Sequence, residues 1–350
     1  MVLDVPAADL ADLHSRLRAT RWTPPWAGGG VPAERLRALT HRWADDYDWP
    51  AHQTEINALP WHTAEIAGAP LRYLRFDGGA RPLVLTHGWP STVLELTALA
   101  TRLADAGFTA IVPALPGFPF SPQRPEYPSN PQTHELWHHL MREELGFQRY
   151  GAHGGDLGAG TSARLGEAYP DAVAGVHVLA VGGPADPDPA TLTDEERDYL
   201  AQEDAWYATE GAYEHQQRTR PLTVAAALAD SPAGLLAWLV EKYDLWTDRP
   251  FPDDFVLTQA SLYWLTNSIG TSFRPYYEHA VGATRRIEQV TVPTAVAVFP
   301  KDLVQPPRRW AERMHHVTRY TVMPRGGHFA AYEEPDLLAV DVAEFFGPLL

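Results

Sequence analysis

Residues 147–159 constrain the fold of this chain more than any other stretch. They read Phe-Gln-Arg-Tyr-Gly-Ala-His, then Gly154-Gly155-Asp156-Leu157-Gly158, then the start of an Ala-rich run: strand, sharp turn, helix. Small residues crowd both sides of one carboxylate. That is the layout of a nucleophile elbow, a strained strand-to-helix turn that tolerates almost no neighbouring bulk. The usual pattern is Gly-x-Ser-x-Gly, and here the central residue is Asp156. Helix N-capping is the ordinary alternative for such an Asp, but a cap does not need the tight glycine frame.

Around the elbow, apolar runs alternate with helical periodicity. Residues 82–86, 108–113, 173–180 and 292–299 are near-continuous apolar runs, as parallel strands buried on both faces are, and 318–323 reads as a further strand. Helical spacing falls at 94–106, 133–145, 305–315 and from Pro335 onward. This alternation predicts a mostly parallel α/β sheet with right-handed crossovers. Residues 61–66 and 71–76 flank Ala-Gly-Ala-Pro and suit a hairpin. From 183 to 285 the alternation stops, and helical patterns at 194–210, 232–245 and 253–268 take over. The expected layout is a core of residues 69–182 and 286–350 with a helical cap inserted at 183–285. Residues 1–68 begin with two short helices, one carrying Leu10, Leu13 and Leu17. The other starts at Pro32, carries Leu36, Leu39 and Trp43, and closes near Asp48-Trp49-Pro50. With the turn-rich break at 23–30 between them, they read as a meander wrapped on the core.

Composition narrows the partners. A net charge of −16 disfavours nucleic acid and anionic membranes. Zero cysteines exclude disulfides, thiolate catalysis and Cys-ligated zinc, and the fifteen histidines are scattered without metal-ligand spacing, so no metal or other cofactor is expected. No stretch approaches the roughly 18 apolar residues of a membrane span, and the first residues lack the basic flank and apolar run of a secretory signal. A soluble cytoplasmic protein is expected. Its acidic surface neither requires nor forbids a homodimer. The abundance of Ala, Arg, Asp, Pro and Gly points to a high-GC bacterial source.

Open α/β sheets place ligands at the C-terminal ends of their strands. Four such loops here carry chemistry: His87-Gly88-Trp89-Pro90, the elbow with Asp156, Pro300-Lys301-Asp302, and Pro324-Arg325-Gly326-Gly327-His328. Their order is nucleophile, acid, histidine. Asp186 and Asp188, after the strand ending near Ala180, compete with Asp302 for the acid, and His87 suits turn stabilisation better than catalysis. A carboxylate attacks without a general base. On an sp³ carbon bearing a leaving group it forms an ester, which His328-activated water hydrolyses while the N–H groups of Trp89 and Leu157 hold the oxyanion. A serine would form an ether and stop. The chemistry narrows to epoxides, haloalkanes and similar electrophiles. An epoxide oxygen needs a proton donor, and the cap offers Tyr207, Tyr213, Tyr243, Tyr263, Tyr276 and Tyr277. A halide pocket would commonly have Trp beside the nucleophile, where this chain has Leu157. The rival readings are a haloalkane dehalogenase and a non-catalytic small-molecule receptor on the same fold.

The chain resembles the microsomal-type epoxide hydrolases of the α/β-hydrolase superfamily over nearly its whole length. The residues that carry the resemblance are Arg18-Ala-Thr-Arg-Trp22, Tyr47-Asp-Trp49, Asn57, His87-Gly-Trp-Pro90, Phe299-Pro-Lys-Asp-Leu303 and Arg325-Gly-Gly-His-Phe-Ala-Ala-Tyr-Glu-Glu-Pro335. The membrane anchor of the microsomal enzymes is absent from this pattern. The resemblance implies Asp156 as nucleophile, His328 as base, Asp302 as orienting acid, and Tyr213 and Tyr276 as proton donors, with Tyr277 adjacent to the second. It implies a pocket including Trp89, Pro90, Leu157 and Tyr277. The family usually has Trp after the nucleophile; Leu157 makes that wall smaller and implies a larger epoxide, such as an intermediate of bacterial secondary metabolism.

Overall fold

Five apolar segments, β3 (Arg81–Thr86), β4 (Phe108–Pro113), β5 (Tyr150–Gly154), β6 (Val173–Val178) and β7 (Val290–Val298), bury nearly every side chain they carry. Each fully buried Val, Leu or Ile contributes roughly 1.5–3 kcal/mol, so strands apolar on both faces are driven to the middle of a layered fold. The computed structural model describes residues 3–24, 26, 28–124 and 132–350. Its sheet has eight strands in the order β1-β2-β4-β3-β5-β6-β7-β8, where β1 is Trp61–Ile66, β2 Ala69–Phe76 and β8 His315–Val322. The β1–β2 and β2–β4 pairs are antiparallel and the others parallel. Thus β1, grouped with the meander in the sequence reading, is an edge strand of the main sheet.

The meander holds three helices, α1 (Ala7–Arg18), α2 (Ala33–Asp45) and α3 (Trp49–Asn57). The third was not expected. Asp48-Trp49-Pro50 starts a helix as well as following one: the Asp48 carboxylate accepts from the Ala51 N–H at 3.1 Å, and Pro50 sits in the first turn. Positions 25 and 27 of the turn-rich break lie outside the described residues. Between the strands lie α4 (Thr97–Asp105), α5 (Thr133–His139), which runs into a π-helical turn at Leu140–Glu144, and α6 (Leu157–Ala168).

The cap's described elements are all helical, with α7 (Asp194–Glu210), α8 (Ala212–Thr219), α9 (Pro221–Leu228), α10 (Pro232–Leu245), α11 (Asp253–Leu265), α12 (Ile269–Ser272) and α13 (Arg274–Ala280) joined by loops. The meander braces it. Trp43 Nε1 donates to Ser261 Oγ at 2.9 Å, Tyr47 Oη pairs with Thr258 Oγ1 at 2.8 Å, and Arg35 and Arg42 bind Asp253 and Asp254. On the far side Arg313 grips the buried Glu196 with two nitrogens.

After β7 the chain forms α14 (Arg308–Glu312), β8, α15 (Ala330–Glu333) and α16 (Pro335–Phe346). The helix expected over 305–315 is shorter because Pro306 and Pro307 lack the N–H that an inner turn needs. The strand expected from Thr318 begins at His315, which pairs with Val290. No single helix among the described residues is long and apolar enough to cross a membrane.

Candidate active site

The parallel strands point their C-terminal ends to one edge, and β5 lies between β3 and β6 at its centre. Asp156 follows β5 with φ 48° and ψ −125°, a left-handed conformation that costs a non-glycine residue of order 1–3 kcal/mol. Glycines make it attainable. A Cβ on Gly158 would run into the Thr86 carbonyl, and one on Gly88 into the Asp156 side chain. The helix can therefore close on β3, and the 87–90 loop on the carboxylate, only because both are bare backbone.

The Trp89 N–H donates to Asp156 Oδ1 at 2.7 Å, and the Leu157 N–H, at the start of α6, also favours the ionised carboxylate. Burial pushes this carboxyl above its usual range, while His328 and the two N–H donors pull it back. Asp156 Oδ2 lies 3.8 Å from His328 Nε2. On the other side of the ring, Nδ1 meets Asp302 Oδ1 at 2.7 Å, and that oxygen also accepts the Leu303 N–H. The two loops are stapled by the Lys301 N–H donating to the Gly326 carbonyl at 3.1 Å. Burial opposes a charge on His328, but Asp302, Asp156 and Glu95 together outweigh it and raise its pKa to about 9. Asp188 instead caps a turn, accepting from the Ala190 N–H. His87 is buried, with Nδ1 beside the Gly88 carbonyl and Nε2 accepting the Leu115 N–H; burial lowers its pKa to about 4. It braces the loop.

The six candidate tyrosines separate by what their hydroxyls do. Tyr243 donates to the Pro90 carbonyl at 2.7 Å and Tyr263 to the Ser91 carbonyl at 3.0 Å, so both tie the cap to the 87–90 loop. Tyr207 and Tyr277 are 45% and 43% exposed. Tyr213 and Tyr276 are buried, with ring centroids 6.4 Å apart, and both pack on the Trp89 indole. The Tyr276 hydroxyl has no hydrogen-bond partner among the described residues. Burial, followed by the Asp156 charge, pushes both phenols well above their ordinary pKa.

Asp156, Leu157, Tyr213, Tyr276, Asp302 and His328 line a cavity of about 1270 Å³. Trp89, Pro90 and Tyr277, expected in its wall, do not line it. The Trp89 indole is fully buried, with Tyr213 stacked on it and its Nε1 on Ser272 Oγ, and the Pro90 carbonyl is bound by Tyr243. Sequence reasoning missed Lys242 and Trp246. Lys242 is buried with Nζ 4.5 Å from the Tyr213 ring centre, and Trp246 packs on Tyr213 and His328 while its carbonyl accepts the His328 N–H at 2.8 Å. The signal was available: Leu235, Leu239, Lys242 and Trp246 recur at helical spacing, so the lysine falls on the apolar face.

Comparison with known proteins places the fold in a family. Residues 1–96 match the family model described as epoxide hydrolase N terminus, and residues 81–335 match that of the alpha/beta hydrolase fold. The chain is 36% identical to "Putative epoxide hydrolase" of Stigmatella aurantiaca over 99% of its own length and 84% of that protein's. It is 30% identical to epoxide hydrolase 1 of Oryctolagus cuniculus, covering 97% and 86%. The structure of Aspergillus niger epoxide hydrolase superposes with a TM-score of 0.88 at 30% identity, covering 99% of this chain and 95% of that one.

Proposed function

The chain belongs to the epoxide hydrolases of the α/β-hydrolase fold, and on that premise we propose that Asp156, His328, Asp302, Tyr213 and Tyr276 carry its conversion of an epoxide to a vicinal diol. One observation carries the reading. Asp156 rests with Oδ1 in the hydrogen bond from Trp89, beside the Leu157 donor, and with Oδ2 toward His328, in a cavity shared with two buried tyrosines.

Asp156 Oδ2 attacks a ring carbon as the epoxide C–O bond breaks, and the departing oxygen takes a proton from Tyr213 or Tyr276. Esterification removes the Asp156 charge, one of the attractions holding a proton on His328. The ring then releases that proton, which the tyrosinate needs, and becomes a base when a base is required. Water gives a proton to His328 Nε2 and adds to Asp156 Cγ. The oxyanion forms at Oδ1, where the N–H donors already point. Collapse expels the diol oxygen, which takes the proton from His328, and the Asp156 acid ionises back onto His328. Asp302 orients the ring and stabilises its cation, as a carboxylate partner does in other triads.

A variant that cannot activate water tests this. Intact His328→Gln enzyme mixed with an epoxide should gain the mass of the substrate; no gain removes the two-step mechanism. Asp156→Asn should be inactive. In a single turnover in oxygen-18 water, the oxygen added to the diol should come from Asp156.

Leu157 and a cavity above the usual 300–1,000 Å³ range support a bulky substrate, in keeping with an intermediate of secondary metabolism. A water-soluble cytoplasmic enzyme is part of the same reading, supported by the net charge of −16 and tested by recovery in the soluble fraction of its source cells.

A further inference from the structure

Asp156 and His328 also line a second, much smaller cavity of about 10 Å³, to which the cap contributes no residue. That is room for about one water molecule. Its polar lining residues include Glu95, Ser91 and His153. His153 lies on β5, is fully buried, and its Nε2 has no hydrogen-bond partner among the described residues. A buried polar atom without a partner is costly, and here it belongs to a residue that lines a water-sized space.

The character of that nitrogen can be worked out from the far end of a buried array. Asp341 Oδ1 is held by Arg319 and Thr321, and its Oδ2 lies 2.9 Å from His177 Nε2. Arg319 is shared between Asp341 and Glu344, and a neutral His177 that donates its Nε2–H to Asp341 presents Nδ1 as an acceptor. His177 Nδ1 lies 3.0 Å from His153 Nδ1, and in that arrangement His153 carries its proton on Nδ1. His153 Nε2 is then a bare lone pair. Burial keeps the ring neutral by pushing its pKa well below the ordinary value.

We propose that this chamber holds the hydrolytic water and that His153, its tautomer set by His177 and Asp341, is the residue that positions it. The inference rests on the two-step reading above. A water donating one hydrogen to His153 Nε2 and the other to His328 Nε2 keeps a lone pair free for Asp156 Cγ. His328 removes its proton, and the hydrogen on His153 stays with the oxygen that is added. Glu95 offers a second acceptor from the same wall.

The test is a single-turnover experiment with styrene oxide, following ester formation and ester hydrolysis separately by quench and intact mass. In His153→Leu, ester formation should stay within roughly twofold of the wild type while hydrolysis slows by about tenfold or more. Ester should accumulate, and KM should fall together with kcat. His153→Gln should recover most of the hydrolysis rate, because its amide can donate to His177 and turn its oxygen to the chamber. Asp341→Asn, at the other end of the array, lets both tautomers invert and should also slow hydrolysis selectively. Wild-type hydrolysis in His153→Leu, or equal slowing of both steps, overturns the proposal. If His328→Gln forms no ester, the two-step reading falls and takes this one with it. Ester in His328→Gln beside unchanged kinetics in His153→Leu refutes the water site alone.

Discussion

Replacing Tyr276 by Phe separates catalysis from stability at one atom. The Tyr276 ring is 6.1 Å from Trp89 and nearly perpendicular to it, a contact that Phe reproduces. The hydroxyl itself bonds to no described residue, so its removal breaks no protein hydrogen bond. A buried hydroxyl without a partner costs about 1–3 kcal/mol. Phe should therefore be neutral or stabilising, by up to about 1 kcal/mol, equivalent to a rise in Tm of about 2 °C in a chain of this size. Ring opening should suffer, since loss of one donor to a developing oxyanion costs about 10²–10³ in rate, or 2.7–4 kcal/mol. Tyr213 remains as the second donor, so activity should be reduced without being abolished. Stopped-flow tryptophan fluorescence, reporting on Trp89 and Trp246 beside the site, would follow the alkylation step, and calorimetry would give Tm. An unchanged alkylation rate, or a Tm lowered by several degrees along with activity, would refute the reasoning.

Three further outcomes are expected. Asp302→Asn leaves His328 without its anionic partner at 2.7 Å and should lower kcat on the order of 10³–10⁴-fold; because ring opening does not use the base, quenched samples should contain ester. His328 has a folded pKa of about 9 against 6.5 ordinarily, so the stability it adds is complete below pH 6.5 and disappears as pH rises through about 9. Denaturation midpoints should show the wild type losing about 3 kcal/mol relative to His328→Gln between those limits, and parallel pH profiles would contradict the assignment. Leu157→Trp should narrow the cavity wall and lower kcat/KM for a polycyclic epoxide relative to styrene oxide by about tenfold; an unchanged ratio would remove Leu157 as a determinant of substrate size.

Much of the architecture was legible because its causes are local. The helices at Asp194–Glu210 and Pro232–Leu245, the strand Phe108–Pro113 and the helix starting at Pro335 form where capping and periodicity place them. Errors fell where one short signal has two meanings. Asp48-Trp49-Pro50 reads as the end of a helix but starts one, the preceding helix having closed at Asp45, and Pro306-Pro307 shortens a helix that periodicity would extend. Side chains acting through distant partners were the hardest. His153 appears in sequence as a strand residue, and Lys242 as a charge at the end of a helix. Their roles come from His177, Asp341 and Tyr213, 24 to 188 residues away in sequence.

By itself the sequence determined the class of reaction. An Asp between Gly154-Gly155 and Gly158 at a strand-to-helix turn is a local backbone requirement, and a carboxylate there can form an ester that water later cleaves. Tertiary structure decided the rest. It brought Asp302 to 2.7 Å from His328 while Asp188 capped a turn, and it occupied the hydroxyls of Tyr243 and Tyr263 with loop carbonyls. It also turned Asp156 Oδ1 toward the Trp89 N–H, leaving Oδ2 facing His328. These outcomes depend on strand ends far apart in the chain meeting at one sheet edge, where hydrogen bonds over a few ångströms choose among residues of the same type.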